Sequence, residues 1–85
     1  MPVNIPTTRD EAISQLVAQD VARWGEGERA ASESMHRGNY KTFGAALNAL
    51  AARAEIAEAP EAPALRAAAN AALTSADWSG LMQGG

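Results

Sequence analysis

Residues 40–58 read YKTFGAALNALAARAEIAE. Within them Tyr40, Phe43, Leu47, Leu50, Ala54 and Ala57 recur at alternating spacings of three and four. That rhythm is an a/d seam along one face of a helix, and such a seam has to be covered by the rest of the chain or by another chain. The flanking residues Gly44, Ala45, Ala46, Ala49, Ala51 and Ala52 are small. Small residues let a neighbouring helix approach near the lower end of the usual ~8–10 Å spacing. A helix over about 40–58 is the expected centre of the fold.

Toward the C-terminus, Ala59-Pro60-Glu61-Ala62-Pro63 reads as a linker. Pro60 restricts the residue before it and ends the seam helix, while Pro63 suits the first turn of the next. A helix is expected over 63–76 with Leu65, Ala69, Ala72, Leu73 and Ala76 inward. Ser75 or Asp77 is expected to cap a last short turn holding Trp78, Leu81 and Met82, before a frayed tail over 83–85.

Toward the N-terminus, Gly38 suits the end of a helix and Asn39 the cap of the next. A polar helix over 28–37 offers only Ala30, Ala31 and Met35 as apolar contacts, with Glu33 and Arg37 placed to pair at i,i+4. Gly25-Glu26-Gly27 precedes it, and two glycines cost roughly 2 kcal/mol relative to Ala inside a helix. A break is expected there, with one long rod running through the glycines as the alternative. Thr8-Arg9-Asp10-Glu11 reads as a capping box that opens a helix over 8–24. Its apolar face is Ile13, Leu16, Val17, Val21 and Trp24. Residues 1–7 read as an extended arm, which Val3 and Ile5 are expected to pin to the body.

The expected fold is all-α, a single domain of three to four helices. A chain of 85 residues buries only about 60–65% of its unfolded surface. It has no Cys, so neither a disulfide nor a thiolate metal site staples it. Ala is abundant, which favours helix and makes a thin core. Aromatic bulk comes only from Trp24, Tyr40, Phe43 and Trp78. There is no basic, apolar leader and no apolar run near the ~20 residues that span a bilayer, so a cytoplasmic location and no membrane are expected.

Net charge is −3 and the isoelectric point about 4.9, so nucleic-acid backbones gain little from long-range attraction. Arg23, Arg29, Arg37 and Lys41 form a loose basic stretch, but Glu26, Glu28 and Glu33 interleave with it. A helix-turn-helix about Gly38 would use the seam helix for recognition, and its Ala-rich outer face cannot supply the base and phosphate contacts. His36, the only histidine, sits between Met35 and Arg37 beside a glycine and reads as a surface or helix-end residue. Glu55 and Glu58 at i,i+3 read as a solvated face rather than a cation site. No HExxH, Cys cluster or GxxxxGK[ST] occurs, so no cofactor or metal is expected. Gly84-Gly85 resembles the end of ubiquitin-like carriers, but those need a β-grasp body and no strand is expected here, so a flexible tail is the reading.

The overall type, a small acidic Ala-rich helical chain without a catalytic motif, is similar to many products of bacteriophages and other mobile elements. Small inhibitors of bacterial defence complexes, including anti-CRISPR proteins, are of this type, and so are minor virion components. The likeness is one of style and assigns no residue.

These observations point to a non-enzymatic protein-binding module, an inhibitor or adaptor that occupies a surface on a larger protein complex. A minor structural component held by the 1–7 arm is the alternative, and a nucleic-acid-binding regulator a third. Trp buries a large area while keeping a polar N–H, so Trp24 and Trp78 lead the candidate contacts, with Arg29, Arg37, Tyr40 and Lys41. A homodimer is also expected, through two copies of the seam helix packed antiparallel over Ala49 and Ile56.

Overall fold

The protein is seen in a computed structural model that describes residues 5–84, with side chains described over 5–74. The described residues form an all-α bundle: α1 (Arg9–Trp24), a 3₁₀ turn (Glu26–Glu28), α2 (Arg29–Asn39), α3 (Phe43–Ile56) and α4 (Ala62–Gly84). The all-α expectation is met, and the expected break after Trp24 is there. Gly25 takes φ 104°, a conformation costly for any residue with a Cβ, and its N–H closes α1 on Val21 O at 2.8 Å.

α1 begins as its sequence says. Thr8 Oγ1 accepts from Glu11 N at 3.1 Å. The return contact is shifted by one residue, because the Glu11 carboxylate accepts from Thr7 N and Thr7 Oγ1. Those Thr7 hydrogen bonds, the side-chain one foremost, hold the Glu11 carboxyl below its ordinary value. Ala12, Ile13, Leu16 and Val17 are buried, and Ile5 and Val21 pack partly against them. Val3 lies outside the described residues.

α3 is the central helix, packed on α1 and α4. Leu47, Leu50 and Ala54 of the seam are buried, together with Ala46 and Ala51. Tyr40 and Phe43 are half-buried, and Ala57 is exposed because α3 ends at Ile56. At Gly44 the helices touch. A Cβ there would stand 3.1 Å from the Cα and N of Leu73, so only glycine lets α4 lie this close.

Three boundaries differ from expectation. α2 continues through Gly38 to Asn39, and Thr42 rather than Asn39 caps α3, its Oγ1 accepting from Ala45 N at 3.1 Å. Arg9 satisfies the end of α2 instead, donating to Arg37 O at 2.9 Å and Tyr40 O at 2.8 Å. α3 closes with Glu58 in a left-handed conformation, φ 55°. Ala59 N then donates to Ala54 O and Glu58 N to Glu55 O, the paired C-terminal bonds of a Schellman motif with glutamate where glycine is usual. Finally, α4 does not stop at 76. Ser75 and Asp77 lie within a helix that runs to Gly84 rather than capping a separate turn.

α2 turns a different face inward from the one expected. Ala30, Ala31 and Met35 are exposed, while Ser32 and His36 are buried. The reason is Asp20, which falls on the inward face of α1 in step with Ile13 and Val17. A carboxylate there needs donors, and α2 supplies them.

Candidate protein-binding groove

The first electrostatic feature is the cluster around Asp20. One carboxylate oxygen accepts from Ser32 Oγ at 2.7 Å and from His36 Nε2 at 2.7 Å, and the other from Arg53 Nη1 at 3.0 Å. Burial alone would raise the Asp20 carboxyl; the three hydrogen bonds and the Arg53 charge outweigh it and hold it below the ordinary value. His36 is 2% exposed, which corrects the surface reading of this residue. It stacks on Tyr40 at 5.7 Å between centroids, and its Nδ1 has no partner among the described residues. Ser32 and His36 both bond the same oxygen of Asp20, so the three do not form a Ser–His–Asp relay. The cluster fastens α1, α2 and α3 together.

Beside it lies a groove of about 580 Å³ between the C-terminal halves of α1 and α3 and the start of α4. Leu50, Ala54 and Leu65 form its buried floor, and Gln15, Gln19, Asp20, Arg53, Ala57 and Glu61 are among its walls. Two large apolar side chains stand out of its rim: Trp24, 67% exposed, and Ile56, 84% exposed. The sequence placed Trp24 on the apolar face of α1. It is left uncovered because α1 ends there and Gly25 turns the chain away. Arg23 lies over the Trp24 ring at 5.3 Å.

The six residues singled out in sequence do not share one surface. Arg37, Tyr40 and Lys41 gather near the N-terminus of α1, where Arg9 bonds the Arg37 and Tyr40 carbonyls. Trp24 is at the other end, about 24 Å away at 1.5 Å per residue. Arg37 is tied to Asp10 and Glu33 at 3.0 Å each, and Arg29 to Glu26 at 2.8 Å. Lys41 is exposed. The Trp78 side chain lies outside those described.

Glu55 is held by Arg66 in a two-pronged pair at 2.9 Å, whose donors keep its carboxyl below the ordinary value. Among the described residues no group of three or more His, Asp or Glu is placed to hold a metal ion, and no helix is long and apolar enough to cross a membrane. A second groove of about 610 Å³, bordered by Pro6, Phe43, Leu47 and Ala68, has no charged side chain in its lining.

Sequence reasoning passed over Asp20, Ser32 and Arg53 as site residues, and weighed Arg23 only within a basic stretch and Ile56 only at a dimer contact. The signal for the cluster was there: an aspartate in phase with the apolar face of α1, and Ser32 and His36 at i,i+4 on α2. Nothing in the sequence told that Trp24 and Ile56 would meet at one groove. Comparison with protein families, with curated proteins and with solved structures finds no match to this chain.

Proposed function

We propose that this chain is a non-enzymatic protein-binding module that docks on a larger protein through the Trp24–Ile56 groove. The observation that carries the reading is the exposure of those two side chains on one concave rim. Trp and Arg dominate interaction hot spots, where a large side chain enters a pocket from which water is expelled, and Arg23 lies on Trp24 at this rim. Four of the arginines are already matched to carboxylates within the chain, which argues against a nucleic-acid backbone as partner. Within this class an inhibitor or adaptor of the phage or mobile-element type is the preferred form, on the likeness of small size, mild acidity and Ala-rich helices.

The test is affinity capture from bacterial lysate, run in parallel with wild type and a Trp24→Ala/Ile56→Ser variant. A partner recovered in stoichiometric yield by wild type and depleted by the variant is the expected result. A nuclease or surveillance complex would favour the inhibitor form, and capsid or tail proteins a structural one. Equal recovery by both proteins, or no recovery by either, counts against the groove.

A further inference from the structure

The charges at the rim of the groove bear on the chemistry a partner brings there. Five of the six arginines are engaged: Arg9 with backbone carbonyls, and Arg29, Arg37, Arg53 and Arg66 with carboxylates. Arg23 has no acceptor among the described residues, and its guanidinium lies over the face of Trp24. An aromatic face holds a guanidinium in place while its N–H groups, exposed to water at Arg23, stay available to an acceptor. We propose that the groove takes an apolar segment of a partner protein that carries a carboxylate set against Arg23.

The remaining charges support this and give the segment a direction. Asp20 and Arg53 bond each other at 3.0 Å and offer little net charge to a ligand. Glu61, half-buried at the α4 side of the groove, has no ion-pair partner among the described residues. It repels a carboxylate from that side and leaves the Arg23 side as the place for one. The apolar part of the segment then lies over Leu50, Ala54 and Leu65, between Trp24 and Ile56. A carboxylate that meets Arg23 there can accept two parallel N–H bonds, the strongest pairing available to a guanidinium.

This inference rests on the docking reading above, and its test separates the two. Sedimentation of the wild type comes first: a monomer, or a seam-helix dimer that Trp24→Ala leaves intact, keeps the groove free for a partner. A dimer that Trp24→Ala dissociates would give the groove to a second copy and overturn the proposal. Short random peptides displayed on phage are then selected on the folded protein, with Trp24→Ala as the counter-target. The expected winners share Asp or Glu at fixed spacing from Leu, Ile or an aromatic residue. A winning peptide should lose about tenfold or more in affinity to Arg23→Glu, as for loss of a close charge pair, and less than threefold to Arg37→Glu at the far end. Selection on Arg23→Glu should return Lys or Arg at the same place. Winners that need Trp24 but show no acidic preference overturn the carboxylate and leave the docking reading standing. Winners indifferent to Trp24, or none at all, overturn both.

Discussion

His36 Nε2 and Asp20 Oδ2 meet at 2.7 Å in the angle between α1 and α2, with the histidine almost wholly buried. The carboxylate has no proton to give, so the imidazole donates. Ser32 and Arg53 donate to the same group. Removing Asp20 strands three donors at once. Asp20→Ala should therefore cost about 2–4 kcal/mol, between the value of a lost buried hydrogen bond and that of a broken buried ion pair. Urea denaturation reads it directly. A loss under about 0.5 kcal/mol, typical of surface substitutions, would show that the cluster is incidental.

The same carboxylate sets an acid limit. Its folded value is below its unfolded one. The stabilisation is therefore complete above the unfolded value of about 3.9 and is lost as pH falls through the lower folded value. Stability measured in urea should be level above pH ~5 and fall steeply below pH ~4. Asp20→Asn should start lower and fall less over that range. An equally steep fall in Asp20→Asn would assign the acid limit to other groups.

Glycine content offers two opposite tests. At Gly44 a Cβ would stand 3.1 Å from backbone atoms of Leu73, so the helices must part. Gly44→Val should cost about 1–3 kcal/mol by overpacking. At Gly38, within α2, a Cβ meets nothing within 4 Å. Gly38→Ala should gain up to about 1 kcal/mol from helix propensity. Thermal melts of the pair should move in opposite directions, and a fall for Gly38→Ala would contradict the α2 boundary.

Much of the fold was legible because it rests on local rules. The Thr8–Glu11 box, the break at Gly25 and the Leu47–Leu50–Ala54 face are written in spacing and cap chemistry. The boundary at Thr42 was not, because Asn39 and Thr42 are both good caps and the choice follows from Arg9, 31 residues from Tyr40 in sequence, taking the α2 carbonyls. The inward face of α2 is not legible from hydrophobicity, because the hydrogen bonds of Ser32 and His36 to Asp20 set it. The rim of the groove depends on three helices converging, and no periodicity within one helix reports that.

Glu58 occupies the left-handed position that ends α3. A Cβ makes that conformation cost ~1–2 kcal/mol, part of which glycine regains at some expense in unfolded-state entropy. Glu58→Gly should therefore stabilise by about 0.5–1 kcal/mol. Glu58 is exposed and takes part in no ion pair among the described residues, so nothing else is lost. An unchanged or lower melting temperature would argue against this cap geometry.

Trp24 and Ile56 are the last test, because exposure and function make opposite demands on them. Trp24 is 67% and Ile56 84% exposed, so neither contributes much to the core. Trp24→Ala and Ile56→Ser should each shift stability by no more than about 0.5 kcal/mol, the range of ordinary surface substitutions. Partner capture should nevertheless fall by at least tenfold in the double variant, about what the loss of a hot-spot aromatic gives. A large loss of stability in Trp24→Ala would instead make the tryptophan part of the core and remove the rim on which the docking reading stands. Circular dichroism melts beside quantitative capture separate the two outcomes in one set of proteins.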